Sequence, residues 1–129
     1  IKNQISFQMQ LGDLSAFPLS DEELIVVLSN LLDNAFNACM AVSSFEERKV
    51  LLKMRTEEAA GFLYLENRTA HDVEILDNKI VAPKNKSIEH GYGLKNVTAI
   101  LENINALYVF DYNSPKHLFS FSAQFPISR

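Results

Sequence analysis

A chain of 129 residues with 47% hydrophobic content is sized for one compact domain that needs no disulfide or metal staple. Twelve basic against sixteen acidic side chains give a net charge of -4. That balance excludes the clustered positive charge of a nucleic-acid module, while a nucleotide carried with magnesium stays allowed. No apolar run approaches the roughly 20 residues that span a bilayer, so no membrane contact is expected of this stretch. The lone Cys39 points to a reducing, cytoplasmic setting. The chain opens at Ile1 without methionine or charged leader, which reads as a single domain, 1–129, excised from a longer and membrane-bound sensor protein.

Ile5, Phe7 and Met9 alternate with Ser6, Gln8 and Gln10, the period-2 pattern of a strand with one buried face. Ser20 followed by Glu23 has the form of a capping box, so a helix is expected from Asp21 to near Val42. Leu24, Leu28, Leu31, Leu32, Ala35 and Cys39 recur along it at helical spacing and form its core stripe. Two strands follow around Val50, Leu52, Met54 and around Leu63, Leu65, joined by a hairpin turn at 57–61. Residues 68–89 lose periodicity and read as a long polar loop of the kind that serves as a lid. Leu94, Val97, Leu101 and Ile104 restore helical spacing, and strands over 107–112 and 118–125 close the chain about a turn at Asn113, Ser114 and Pro115. This order predicts a two-layer α/β sandwich, a mixed, largely antiparallel sheet with helices on one face.

Asn30, Asn34 and Asn37 fall at i, i+4 and i+7 of the first helix, in one band beside the leucine stripe. Asparagine is a mediocre helix former, so three on one face call for a reason. A carboxamide oxygen suits magnesium and its NH2 suits phosphate oxygens; the bland alternative is a polar flank bonded to water or a loop. Gly91 and Gly93, in His90-Gly91-Tyr92-Gly93-Leu94-Lys95, stand where the second helix is expected to start. The first amides of a helix lack internal acceptors and attract anions, so this is either a phosphate cradle with Lys95 adding charge, or an ordinary glycine turn. If Leu63 and Leu65 face the helices, alternation puts Asn67 inward at the strand end. Its amide can pair with the amino group and ring nitrogen of adenine, or cap the turn.

Together, Asn30-Leu31-Leu32-Asp33-Asn34-Ala35 on a capped helix, inward Asn67, a lid-like loop and the His90–Lys95 string resemble the GHKL superfamily with its Bergerat ATP-binding fold. More narrowly, they resemble the catalytic domain of quorum-sensing and peptide-sensing histidine kinases. The resemblance implies ATP and Mg2+ as cofactors, Asn34 as magnesium ligand and catalytic residue, Asn30 and Asn37 beside the phosphates, and Gly91, Gly93 and Leu94 as the phosphate loop. It makes His90 a positioning residue and Tyr92 a packing one. It implies transfer of the γ-phosphate to a histidine on an upstream dimerisation domain, then to a response regulator. His71, His90 and His117 sit in expected loops or turns and are not acceptor candidates. The family's adenine-reading Asp-x-Gly-x-Gly or Ala is replaced by Asn67-Arg68-Thr69-Ala70-His71, which predicts weak nucleotide affinity. The rivals are an anti-sigma-factor serine kinase and a degenerate, non-catalytic ATP-sensing module.

Overall fold

The structure is a computed structural model that describes residues 4–81 and 89–127, with 89–93 as backbone only. Its first helix, α1 (Asp21–Met40), starts where the sequence places it. Glu23 N donates to Ser20 Oγ at 3.1 Å and Ser20 N to Glu23 Oε1 at 2.9 Å, closing the capping box. Asp21, Glu22 and Glu23 add negative charge at the positive end of the helix dipole. The other end is capped from a distance. After a short 3₁₀ turn (Phe45–Glu47), Arg48 donates to the carbonyls of Val42 at 2.8 Å and Met40 at 3.0 Å. Its guanidinium thus supplies the cation that the last turn lacks.

The fully buried stripe of α1 is Val27, Leu31, Ala35 and Cys39, a strict four-residue repeat. Leu24, Leu28 and Leu32, expected in that stripe, lie along its margin, where they pack half-buried against the core. The second helix, α2 (Glu89–Asn103), buries Val97 and Leu101. It stops at Asn105, whose φ of 60 is left-handed. Ala106 N reaches back to Leu101 O at 2.9 Å and Asn105 N to Glu102 O at 3.2 Å, the paired bonds of a Schellman end with Asn in place of Gly.

The main sheet contains β1 (Ser6–Leu11), β2 (Lys49–Glu57), β3 (Ala60–Arg68), β6 (Leu107–Asn113) and β7 (Leu118–Pro126) in the order β1-β2-β3-β7-β6. β1 runs parallel to β2, with α1 as the crossover, and the other pairs are antiparallel. Both helices cover one face, and the core fills the gap with Leu63, Leu65, Phe110, Phe121 and Phe125 below Val27, Leu31, Val97 and Leu101. The expected two-layer architecture is therefore present. Among the described residues no helix is long and apolar enough to cross a membrane.

Three local expectations are corrected. β1 does not bury a face: Phe7, Met9 and Leu11 share the register of buried Val50, Leu52 and Met54, yet are 38%, 57% and 52% exposed. An edge strand has a neighbour on one side only, and here, among the described residues, the ring contact with α1 is Phe7 edge-on to Phe36 at 5.4 Å. The 68–89 stretch is not all loop, because β4 (Glu74–Leu76) and β5 (Lys79–Val81) form a hairpin about Asp77 and Asn78, both left-handed at φ 52 and 57. Asn78 then donates to Tyr108 O and accepts from Phe110 N, both at 2.8 Å. A single carboxamide thus stands in for a paired residue on the outer edge of β6. The remainder of the expected lid, 82–88, lies outside the described residues.

The third correction concerns α2. It begins at Glu89, ahead of both glycines expected to mark its start, so Gly91 and Gly93 are helical and do not form a turn leading into the helix. Glycine weakens a helix without forbidding it.

Candidate functional site

The asparagine band and Phe36 occupy opposite flanks of α1, since Phe36 follows Asn34 by two residues, about 200° round the axis. Phe36 touches β1. The asparagine flank therefore faces the other way, toward α2, which packs beside α1, and toward β3. Asn30 donates its amide to Val26 O at 2.9 Å, and Asn34 donates to Asn30 O at 3.1 Å. Both NH2 groups are thus turned onto the helix backbone. One hydrogen of each NH2 is thereby used, and each carboxamide has a second N–H and an oxygen besides, the oxygen being the end whose chemistry suits a hard cation. Asn37, one turn further on, is exposed.

Asn67 is 3% exposed, on the helix-covered face at the end of β3, as the alternation of Leu63 and Leu65 requires. It stands in a cross-strand row with Val50 on β2, Phe119 on β7 and, beyond Phe119, Tyr112 on β6. Its Nδ2 donates to Arg68 O at 3.0 Å, which fixes the plane of the carboxamide. A two-point pairing with adenine would use the second N–H and the oxygen. The C-terminal part of α1 lies over this strand end: Cys39 is buried and its Sγ donates to Lys49 O at 3.7 Å, and burial pushes its thiol pKa up.

At the start of α2, Gly91 falls in the first turn, whose amides have no intrahelical acceptor, and Gly93 falls in the turn above. Leu94 is half-buried against the core and Lys95 is exposed. The expected side-chain roles of His90 and Tyr92 lie outside the described side chains. Sequence reasoning missed one set of residues here. Thr69, 8% exposed and two on from Asn67, continues the inward alternation, and its Oγ1 lies 3.2 Å from Tyr112 Oη. Tyr112 also reaches Asp72 and His117. Period-2 spacing from Asn67 flags Thr69; nothing local flags Tyr112.

Among the described residues no cluster of three or more His, Cys, Asp or Glu could hold a metal ion. A hard cation at this site would therefore draw on the neutral oxygen of Asn34 and on oxygens of its own ligand. Such a donor set fits magnesium, which keeps waters and takes few protein ligands alongside phosphates.

The GHKL domain family matches residues 19–124. The chain belongs to the GHKL family. Solved structures share its fold at low identity. The catalytic domain of histidine kinase ThkA, in a nucleotide-free form, superimposes with a TM-score of 0.69 at 15% identity, covering 97% of this chain and 81% of that one. Acinetobacter baumannii histidine kinase AdeS gives 0.66 at 15% identity, with 99% and 57% covered. Full-length ShkA in complex with AMPPNP gives 0.64 at 16% identity, with 97% and 26% covered. The chain thus spans little over half of the AdeS chain and about a quarter of the ShkA chain. No curated protein matches it. Family and fold are those that the asparagine and glycine strings led one to expect.

Proposed function

We propose that this GHKL domain binds Mg-ATP between the asparagine flank of α1, the start of α2 and the strand end at Asn67, and is the catalytic domain of a sensor histidine kinase. In that reading the γ-phosphate passes to a histidine on an upstream dimerisation domain of the same protein, and then to a response regulator. The parent protein would be a membrane-bound sensor of the quorum-sensing or peptide-sensing type with this domain in the cytoplasm. One observation carries the reading: a buried carboxamide at the end of β3 lies under the same helix that carries two amide oxygens on the flank facing α2. The AMPPNP-bound ShkA, of the same fold, supports an adenine nucleotide as the ligand.

Phosphoryl transfer asks the protein for alignment and charge neutralisation more than for covalent chemistry. Asn67 orients the base from a rigid strand, and the first-turn amides of α2, Gly91 among them, bind phosphate oxygens. Asn34 holds the metal end, with Asn30 one turn before it. Magnesium, when bound, would neutralise charge on the phosphate oxygens and so make the γ-phosphorus more electrophilic. No nucleophile is needed within this domain, because the acceptor is supplied from outside it.

Calorimetric titration with Mg-ATP is the test. Asn34→Ala should weaken magnesium-dependent binding by on the order of 100-fold while leaving metal-free binding alone. The parent chain should melt higher with excess Mg-ATP, since ligand at 100 times its dissociation constant adds about 2.7 kcal/mol. A parent chain that neither titrates nor shifts at millimolar nucleotide would sink the kinase reading and favour an interaction module.

A further inference from the structure

The segment leaving β3 crosses the sheet end toward the β4–β5 hairpin, and it reads Arg68, Thr69, Ala70, His71, Asp72, with no glycine to shape it. Side chains hold it instead. Arg68 Nη1 donates to Lys116 O at 2.8 Å and Thr69 N to His117 O at 2.9 Å, which ties the segment to the turn between β6 and β7. The hub is the Tyr112 hydroxyl. It lies 3.2 Å from Thr69 Oγ1, donates to Asp72 Oδ1 at 3.1 Å, and stands 3.4 Å from His117 Nδ1.

A hydroxyl has one hydrogen to give, and the carboxylate of Asp72 is the strongest acceptor in its reach. The single hydrogen of Thr69 Oγ1 has the His117 carbonyl at 3.4 Å and the nearer Tyr112 Oη at 3.2 Å to choose between; given to Tyr112, it makes a chain from Thr69 through Tyr112 to Asp72 in which each bond polarises the next. Thr69 is the residue after Arg68, whose carbonyl receives the Asn67 amide at 3.0 Å. The restraint therefore runs from Tyr112 through Thr69 to the carbonyl that sets the plane of Asn67.

We infer that Tyr112 is a positioning residue for base recognition: acting through Thr69 and Asp72, its hydroxyl holds the Arg68 carbonyl where it orients the Asn67 carboxamide toward the adenine edge. The inference rests on the proposed nucleotide site and adds the device that does by hydrogen bonds what a glycine turn would do by backbone freedom. It places the control of base selectivity on β6, two strands away from the residue that reads the base.

The test compares magnesium complexes of ATP and of ITP, in which a carbonyl replaces the adenine amino group. Asn67 held in place favours ATP. Tyr112→Phe keeps the ring and should lower the ATP-over-ITP preference by roughly three- to tenfold, the worth of one or two neutral hydrogen bonds. Thr69→Val, which breaks the same chain from its other end, should do likewise, and the double variant should do no more than either. A merely structural role would lower both affinities together and leave their ratio alone. That outcome, an unchanged ratio at unchanged affinity, or a parent chain that holds ATP and ITP alike, overturns the assignment with nucleotide binding intact. A parent chain that binds neither overturns the nucleotide reading itself.

Discussion

The two ends of the candidate site are built differently. At the base end, Asn67 at the end of β3 and Thr69 just beyond it are buried, and each is locked by hydrogen bonds that cross strands or adjoin the strand backbone. At the phosphate end, Asn30 and Asn34 ride a half-exposed helix flank, and each gives an amide hydrogen to a carbonyl of its own helix. The contrast teaches where specificity and where adaptation belong. A base is rigid and is read by fixed donors and acceptors, whereas a metal triphosphate changes shape as its bonds change and is better met by groups on helices. Ordering a polar group inside a sheet brings the desolvation cost of burial, which the surrounding bonds must offset.

That contrast can be sharpened at the base end by Asn67→Leu, which should lose roughly tenfold in ATP affinity yet keep stability to within about 1 kcal/mol. An apolar side chain suits its row with Val50 and Phe119. Titration and denaturant melts check the two halves; full ATP affinity would mean the base is read elsewhere. A smaller effect is expected at the phosphate end. Because Gly93 lies within α2, Gly93→Ala should raise the stability of the free domain by about 1 kcal/mol, whereas a left-handed glycine there would make the change destabilising by a similar amount. A lowered melting midpoint would take Gly93 out of the helix.

The mildest test is alkaline titration. Hydrogen bonding to Glu102, then burial, pushes Tyr108 up to about 12, and burial, then the bond to Glu66, does the same for Tyr64. Burial also raises Tyr112 at the base end. An unfolded tyrosine ionises near 10. The stability that Tyr64 and Tyr108 contribute is therefore whole below pH 10 and is lost as pH rises through about 12. Ultraviolet titration of the phenols should show three delayed ionisations, and a normal one at Tyr112 would speak against its burial and its bond to Asp72.

What the sequence disclosed follows from how local each cause is. The Ser20 and Glu23 box closes within one turn, so the start of α1 was legible to the residue. Asn67 was legible because its orientation follows from Leu63 and Leu65 alone. The exposure of Phe7, Met9 and Leu11 was not, since alternation shows which side chains share a face, and the order of strands shows whether anything covers it. Gly91 and Gly93 misled as punctuation because helix propensity is a weak preference that packing overrides. The Asp77 and Asn78 hairpin had a local signal, two turn formers between Ile75-Leu76 and Ile80-Val81, hidden by the polar length around it. Tyr112 could not be found at all. Thr69 and Asp72, the partners that tie it to the base end, lie about forty residues back along the chain, and a contact of that range leaves no period in the sequence.

The parallel strand at the margin of the sheet has a consequence for how the molecule comes apart. β1 is bonded to β2 alone, and closing that pair means bringing together segments separated by the whole of α1. Loop closure of that length is slow, and a ladder with one free side is the first to fray. Peeling β1 would undo the ring contact between Phe7 and Phe36 while leaving α1 seated on β3 by its buried stripe. Loosening would thus begin on the flank of α1 opposite the asparagines, and the pocket wall would be among the last parts of the domain to notice.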